Sequence, residues 1–530
     1  MQFRWLSQTA ILLCTSAFAT QVSDTQRYFE DARHLFEQQR WDEAQRAAEK
    51  ALTANPQNGD AETLLGLIAT VRGQLSAAER RFSRATLLQP GNYRAHGYLG
   101  STYLQLKQLV RASEEFQKML ELSPGNATAN YNLGVIALAR NSPGEALHYF
   151  ELVTRSNSSD IPALIGKLES QLDLKQKQDA VKTALQLQRL LVDSDPRLFQ
   201  VATLLAQHGE SAAAIPMLER AQRSFPQSYD VNYNLALEYL QIGNYDRAAL
   251  ILQPLTGPQG KAEAFDLLGL IEEKRKRAEA AEQAFEKAMR LQPANEDYCF
   301  NYGNSLLQHG RLEQAITVFR GGVLNMPTAA KLHLGLGSAY YLSGNYQEAA
   351  DALLTAVRLK PDSATAFFLL GEAYDSAGAL QSQIESAFKS YLRTRPRDAL
   401  AFYHFGAILY TRAQAAGADD YHGAEANLHE ALRLDPNLPE AHFELGLIAL
   451  AQGRTEQAVA ALKKAVSLDP EFAPAHYRLG LAYQRLGKAD LGKQEFERFR
   501  GLKNEEHNRA HVLKSLSSLG ANESASPEQL

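Results

Sequence analysis

Residues 439–470 read PEAHFELGLIALAQGRTEQAVAALKKAVSLDP. Three of these residues mark equal steps: Gly446, then Ala458 twelve residues later, then Pro470 after twelve more. Between the marks the apolar residues lie three or four apart, which places them on one face of an α-helix. Proline ends such a stretch because it cannot extend the hydrogen-bonded ladder of a helix. The stretch therefore predicts two short amphipathic helices joined by a turn.

The same three marks recur along the chain with a period of 34 residues, which is the signature of a repeat architecture. The alanine recurs at Ala44, Ala78, Ala112, Ala146, Ala180, Ala214 and Ala248 and, after the loss of one residue, at Ala281, Ala315 and Ala349. The proline follows at Pro56, Pro90, Pro124, Pro226, Pro293, Pro327, Pro361, Pro396, Pro436 and Pro470. The glycine precedes at Gly66, Gly100, Gly134, Gly269, Gly303, Gly337, Gly371, Gly406, Gly446 and Gly480.

Each mark has a physical role in packing one helix pair on the next. A small glycine or alanine in the first helix lets a neighbouring helix approach closely, and the alanine of the second helix does the same from the other side. A large residue four positions after the alanine fills the space between repeats. It stands at Phe82, Phe116, Phe150, Phe285 and Phe319, and at Phe496 in the fourteenth unit, where Gly492 replaces the alanine.

These residues resemble the tetratricopeptide-repeat family, on stretches such as Tyr131-Asn132-Leu133-Gly134 with Ala146 and Phe150. The resemblance covers about fourteen units from Thr25 to Glu506. It implies an all-α fold, a right-handed superhelical solenoid of helix-turn-helix repeats whose first helices line an inner groove. Leucines beyond the last unit predict a C-terminal capping helix over 507–519, because a solenoid must cover its last apolar face. Residues 520–530 are predicted to be a disordered tail.

Several units depart from the pattern. The fifth and sixth have Leu168 and Ala202 in place of the glycine, and a residue is missing near 250–262, where a loop-rich joint is expected. Gln383 replaces the alanine of the eleventh unit. In the longer twelfth repeat, 399–438, the inserted residues are expected to extend the turn or lengthen the helices.

The first nineteen residues do not share the repeat. One early positive charge, an apolar run from Leu6 to Phe18 and small residues at Ala17 and Ala19 are typical of a secretory signal peptide. The sequence thus predicts a signal over 1–19, a mature solenoid over 20–506 and a periplasmic or extracellular location. A retained membrane anchor and a lipid attached at Cys14 are the alternatives, but the apolar run is short and Leu13 stands where lipoprotein signals have a small residue.

Composition narrows the classes of function. The net charge is −5 and the pI about 6.3, so no global positive field exists to attract nucleic acid. Two cysteines, Cys14 and Cys299, are too few for a thiolate zinc site or a disulfide framework. The sequence contains no phosphate loop, no Gly-x-Ser-x-Gly and no His-Glu-x-x-His. No cofactor is implied, and the repeats leave no stretch of domain size for separate catalysis.

The candidate binding surface follows from numbering each unit from 1 to 34 with the glycine at position 8. Positions 5, 9 and 12 form a stripe on the face that the resemblance turns inward, and position 6 carries asparagines that in related solenoids hold a peptide backbone. The candidate groove residues are Tyr131, Asn132, Tyr233, Asn234, Phe300, Asn301, Phe368, Tyr403, Phe443 and Tyr477. The alternatives are that the aromatic residues pack against the next repeat and that the asparagines bond within their own helix.

Other polar residues have structural explanations. His96, His333, His442 and His476 all stand at position 4, a packing site, and Cys299 stands there too as a small buried hydrophobe. His507 and His511 lie one turn apart, but no third metal ligand is indicated. The basic run 274–277 is predicted to be a solvated turn.

The sequence therefore favours a non-catalytic scaffold of the cell envelope or secretory space that binds a polypeptide in its groove. An accessory regulator of a glycosyltransferase or of a polysaccharide export machine is the alternative. A hydrolase within the groove is a third hypothesis, and it requires converging carboxylates in a closed pocket.

Overall fold

A computed structural model describes residues 24–502, and every regular element in that range is helical. The signal predicted over 1–19, Cys14, the capping helix predicted over 507–519, the histidines at 507 and 511 and the predicted tail 520–530 lie outside the described residues. The described helices are α1 (24–37), α2 (Trp41–Ala54), α3 (Gly59–Val71), α4 (Leu75–Leu88), α5 (Tyr93–Gln105), α6 (Leu109–Leu122), α7 (Ala127–Ala139), α8 (Pro143–Ser156), α9 (Ile161–Asp173), α10 (Lys177–Leu190), α11 (Arg197–Gln207), α12 (Ser211–Ser224), α13 (Tyr229–Gln241), α14 (Tyr245–Leu252), α15 (Ala262–Lys274), α16 (Ala278–Leu291), α17 (Glu296–Gln308), α18 (Leu312–Asn325), α19 (Ala330–Leu342), α20 (Tyr346–Leu359), α21 (Ala364–Ala373), α22 (Gln381–Thr394), α23 (Ala399–Ala415), α24 (His422–Leu434), α25 (Pro439–Ala451), α26 (Thr455–Leu468), α27 (Ala473–Arg485) and α28 (Ala489–Gly501).

The helices alternate as the two arms of hairpins. Odd-numbered helices are the first arms and even-numbered helices the second, so the predicted unit of helix, turn, helix is confirmed. The turn inside a hairpin contains a residue in the left-handed region, such as Gly453 with φ of 73°. Lys276 occupies the same place with φ of 59°, so glycine is favoured there but not required.

Asparagine begins many of the first helices, a signal that the repeat marks alone do not reveal. The side chains of Asn58, Asn92 and Asn126 accept hydrogen bonds from the backbone N–H groups three residues later. An asparagine at this position satisfies one of the N–H groups that the first turn leaves unpaired. The capped helix therefore starts at a defined residue in each of these repeats.

The aromatic ring of the second helix is held between two first helices. A Cβ atom added to Gly303 would lie 2.5 Å from the ring of Phe319, and one added to Gly335 on the next first helix would also lie 2.5 Å from it. Phe150 lies against Gly134 and Gly166 in the same manner. Both rings are buried. The predicted role of small residues, to admit a large side chain between repeats, is therefore confirmed at these positions.

The chain divides into two compact units at Val231 and Asn232. Unit 1 contains the described residues up to 231, with buried rings such as Phe82 and Phe116 in its core. Unit 2 contains the described residues from 232 onward, and its largest buried cluster extends from Cys299 to Ile408.

The irregular repeats change helix length. Helix α14 has only eight residues and continues as a 3-10 segment, Gln253–Thr256, before α15 begins at Ala262. Helix α21 has ten residues and is followed by two short 3-10 segments. Helix α23 has seventeen residues, so the insertion of the twelfth unit lengthens the first helix as well as the turn after it.

Because only some glycines contact a ring, replacing glycine by alanine should change the free energy of unfolding in opposite directions at two positions. Gly303→Ala places a methyl group against the buried ring of Phe319 and should lower the free energy of unfolding by about 1–3 kcal/mol. Gly321→Ala, inside α18 with open space around it, should raise the free energy of unfolding by about 0.5–1 kcal/mol because alanine loses less backbone entropy. Urea titrations of both variants measure this, and a change of the same sign in both would contradict the packing described here.

Candidate functional site

The candidate site lies in unit 2, on the side of the first helices that the Phe contacts leave open. We call this surface the first-helix face. Its side chains in unit 2 stand at positions 5, 6, 9 and 12 of successive first helices and are Tyr341, Phe368, Glu372, Tyr403, Tyr410, Phe443, Glu444 and Tyr477. Tyr477 is 40% exposed and the others are partly buried.

Seven of the ten predicted groove residues keep solvent-accessible surface. Tyr131 and Asn132 belong to unit 1, and the other five belong to unit 2. The accessible residues are Tyr131, Asn132, Tyr233, Phe368, Tyr403, Phe443 and Tyr477. Tyr131 also contacts the buried ring of Phe150, with 5.9 Å between the ring centroids, so this position both packs on its own repeat and faces outward.

Three predicted groove residues are buried, and for them the prediction is wrong. Phe300 is 0% exposed because the Lys331 side chain lies over its ring and Phe319 packs beside it. Asn234 is 4% and Asn301 is 7% exposed. The Nδ2 of Asn301 donates to Asp266 Oδ1 at 3.0 Å, so this amide is used within the protein.

Asn132 follows the alternative of a bond within its own helix. Its Nδ2 donates to the carbonyl oxygen of Thr128, four residues earlier, at 2.8 Å. The asparagines at position 6 therefore do not form a continuous ladder for a peptide backbone.

The residues that sequence reasoning missed are carboxylates. Glu372 on α21 and Glu440 and Glu444 on α25 lie on either side of Tyr403 on α23. Burial raises the pKa of the Tyr403 hydroxyl, and the charges of all three carboxylates add to this rise. Acidic residues are abundant in this chain, so no single glutamate was distinctive. The available signal was their register, since Glu372 stands at position 9 and Glu444 at position 6 of the stripe that carries the aromatic residues.

Burial perturbs these carboxyl groups. It raises the pKa of Glu444 to about 7, with further increases from the nearby charges of Asp375 and Glu372. It also raises the pKa of Glu372 to about 6, with Glu440 adding to the effect. Both side chains nevertheless keep some accessible surface.

Other polar groups complete this part of the face. Tyr341 donates a hydrogen bond to Glu372, which offsets part of the rise in the pKa of that carboxyl. The Nδ1 of His404 lies 3.9 Å from Glu372 Oε1. Arg478 on α27 is the cation that acts on Glu444, and its charge offsets part of the rise in the pKa of that carboxyl. Around this position the described residues therefore place one arginine and one buried histidine beside four carboxylates, which are Glu372, Asp375, Glu440 and Glu444.

Comparison with known families agrees with this architecture. Families described as "Tetratricopeptide repeat" match residues 71–127, 111–161, 300–364 and 334–399, residues 35–97 and 205–271, and residues 262–295 and 473–502. A family described as "TPR repeat" matches residues 446–487. Together the matches cover more than half of the chain. The chain belongs to the tetratricopeptide-repeat family.

Individual relatives are distant. This tetratricopeptide-repeat chain is 24% identical to Superkiller protein 3 of Schizosaccharomyces pombe over 263 residues, which are 46% of this chain and 19% of the relative. It is 28% identical to Anaphase-promoting complex subunit 7 of Arabidopsis thaliana over 236 residues, which are 43% of this chain and 41% of the relative. The chain thus spans less than half the length of these curated relatives. The solved structure of PilF from Pseudomonas aeruginosa is similar over 42% of this chain and 99% of PilF, with 17% identity and a TM-score of 0.35.

The repeated histidines serve the packing of the tetratricopeptide repeats, as predicted. In each case Nε2 donates to the carbonyl oxygen of the proline six residues earlier, at 3.0 to 3.2 Å. In two repeats the Nδ1 also faces a glutamate of the second helix, at 2.6 Å in the pairs His96–Glu115 and His476–Glu495. These rings therefore tie the first helix to the preceding loop.

Cys299 and the basic turn also have structural roles. Cys299 is buried, and burial raises the pKa of its thiol to about 11, which keeps it protonated at neutral pH. In the turn at 274–277, Arg275 pairs with Asp246 at 2.9 Å and with Glu272 at 2.7 Å, so its charge is already compensated. Among residues 24–502, no three His, Cys, Asp or Glu side chains are placed to hold a metal ion. In the same range, no helix is both long and apolar enough to span a membrane.

Asp266 at the start of unit 2 gives a prediction about pH. Burial raises the pKa of its carboxyl to about 7. Because the folded-state pKa lies above the unfolded value, the stability linked to this group is present at low pH and is lost as the pH rises through about 7. Asp266→Asn keeps an oxygen that can accept from Asn301 but cannot ionise. Through this group, the wild type should lose at most about 3 kcal/mol of unfolding free energy between pH 5 and pH 8. Asp266→Asn should not show this loss.

Urea titrations of the wild type and Asp266→Asn at both pH values measure this difference. The exposed Asp351 provides the matched control, and Asp351→Asn should keep the pH dependence of the wild type. An equal pH dependence in wild type and Asp266→Asn would show that Asp266 is not the group responsible.

Proposed function

We propose that this tetratricopeptide-repeat protein is a non-catalytic scaffold that binds a polypeptide along the first-helix face of unit 2. The observation that carries the proposal is the row of accessible rings on four successive first helices, namely Phe368, Tyr403, Phe443 and Tyr477. Aromatic side chains provide large contact areas at little cost in side-chain entropy, and their faces orient a ligand.

The spacing of the rings suits a polypeptide. Packed helices lie about 8–10 Å apart, and an extended chain advances about 3.3 Å per residue. One ring per first helix therefore corresponds to about one contact for every three residues of an extended segment. A small rigid ligand would not need such a periodic surface.

We place this activity in the cell envelope or secretory space, because residues 1–19 have the charge, apolar run and small residues of a secretory signal. Cleavage of residues 1–19 would leave Cys299 as the single cysteine of the given sequence, and a buried single thiol is compatible with an oxidising compartment.

Removing two rings should abolish binding of the natural partner. In Tyr403→Ala with Phe443→Ala, the polypeptide that crosslinks to the wild-type chain in an envelope extract should be lost, because about two ring contacts of 1–2 kcal/mol each weaken binding at least tenfold. Mass spectrometry of the crosslinked products measures this loss.

The matched control removes apolar surface from second helices. Leu250→Ala with Leu324→Ala truncates two exposed leucines, on α14 and α18, that lie outside the first-helix face. This control should recover the partner as the wild type does. Recovery that is unchanged by the Tyr403 and Phe443 variant, or lost equally in the control, would count against the first-helix face as the binding surface.

The proposed location has its own test. Protein purified from the envelope fraction should begin at Thr20, and a chain that lacks residues 1–19 should stay in the cytoplasmic fraction. N-terminal sequencing and fractionation measure both outcomes. An envelope protein that begins at its initiator methionine would argue against cleavage, and export of the truncated chain would argue against residues 1–19 as the signal.

A further inference from the structure

Unit 2 shows within its own repeats how the first-helix face holds a cationic side chain. The Nζ of Lys331 lies 2.8 Å from Asp297 Oδ1 and 4.8 Å from the centroid of the Phe300 ring. Asp297 and Phe300 stand at positions 2 and 5 of one first helix, α17, and Lys331 stands at position 2 of the next, α19. The lysine side chain is only 11% exposed, so a carboxylate and a ring in this register take part in holding a largely buried ammonium group.

The same register recurs on α25 without its lysine. Glu440 stands at position 2 and Phe443 at position 5, but the next first helix, α27, has Pro474 at the position of Lys331. Phe472 covers part of the Phe443 ring, with 5.0 Å between the centroids. The side chain of Glu440 makes no hydrogen bond or ion pair with any residue of 24–502. The carboxylate of this register therefore has no cation from the protein itself.

Negative charge accumulates around this position. Glu444 lies one turn further along α25, and Glu372 and Asp375 act on it from the region of α21. The facing groups from α19, α23 and α27 are Tyr341, Tyr403, His404, Tyr410 and Arg478. One arginine does not compensate four carboxylates, so the surface is complementary to an added positive charge.

We propose that Glu440 and Glu444, together with Glu372, bind a lysine or arginine side chain of the polypeptide that occupies the first-helix face, beside the ring of Tyr403. This proposal rests on the proposed function, and it specifies the partner as a segment with a basic residue. The cation would meet the same two kinds of group that contact Lys331, with carboxylate oxygens accepting its N–H groups and a ring face nearby.

The proposal implies that binding depends on pH. A bound cation requires charged carboxylates, and the pKa values of Glu444 and Glu372, raised to about 7 and about 6, place their protonation between pH 8 and pH 5. Affinity for a basic segment should therefore decrease as the pH falls through this range. Affinity for a neutral segment should not follow it.

The test uses labelled peptides and the full chain. Fluorescence anisotropy at low ionic strength compares (Lys-Ala)6, (Gln-Ala)6 and (Glu-Ala)6. We expect (Lys-Ala)6 to bind most tightly, Glu440→Gln with Glu444→Gln to weaken it at least tenfold, and lowering the pH from 8 to 5.5 to weaken it as well. The control Glu348→Gln with Glu456→Gln removes the same charge from exposed positions of second helices and should change affinity less than twofold.

A second variant leaves all the carboxylates in place. Pro474→Lys supplies the lysine that the register lacks. Its ammonium group should pair with Glu440 and thereby also weaken the binding of (Lys-Ala)6. Thermal melts of each variant confirm that weaker binding is not caused by unfolding. Spermidine is added as a competitor, since a free polyamine has the same ammonium chemistry as a basic peptide.

Several results would overturn the proposal. Failure of the wild type to bind (Lys-Ala)6, or equally tight binding of (Glu-Ala)6, would contradict a preference for a cation. Equal effects of the site and control pairs, or no effect of Pro474→Lys, would contradict the assigned residues. Displacement by spermidine at the concentration at which the peptide itself competes would indicate a polyamine site. The proposed function is judged separately. If the envelope partner is lost with the Tyr403 and Phe443 variant but retained with the Glu440 and Glu444 variant, the face binds a polypeptide without this basic contact.

Discussion

The packing of one phenylalanine ring against small residues of two successive first helices is the contact on which the other features of this protein depend. Phe319, between Gly303 and Gly335, shows it most clearly. Because no side chain separates the ring from either helix backbone, the hairpins approach closely and in one register. The cost of disturbing such close packing is what preserves the repeat along the chain.

The same contact determines which surface remains for a ligand. Positions 4, 7, 8 and 11 of the first helix are used for packing, which leaves positions 5, 9 and 12 to be covered or exposed according to the residues of each repeat. On α21, α23, α25 and α27 the rings at position 5 keep some accessible surface, as do Glu372 at position 9 and Glu444 at position 6. A solenoid therefore repeats not only its core but also its binding surface, and differences between repeats create the specificity of that surface.

The sequence was sufficient to predict the hairpins, their register and the packing role of the histidines, since these depend on contacts repeated every 34 residues. It was not sufficient to separate accessible from buried members of the stripe. Phe300 and Phe443 occupy the same position, yet Phe300 is covered by Lys331 of the next repeat, where Phe443 is followed by Pro474. Burial here depends on a residue 31 positions away, which no pattern within one repeat contains.

The carboxylates escaped prediction for a similar reason. A glutamate is unremarkable among 60 acidic residues until the fold brings several of them around one tyrosine. Helices α21, α23 and α25 bring Glu372, Tyr403 and Glu444 together, although the first and last are 72 residues apart in the chain. Shared desolvation and mutual repulsion then change their protonation, which is a property of the assembled face and not of any single repeat.

Amide hydrogen exchange with and without a saturating bound polypeptide would show whether the first helices are the binding surface that this packing leaves open. Slower exchange upon binding is expected in α23 and α25, with little change in α24 and α26, which are the second helices of the same hairpins. Protection confined to α24 and α26, or to the turns between hairpins, would contradict the assignment of the ligand to the first-helix face.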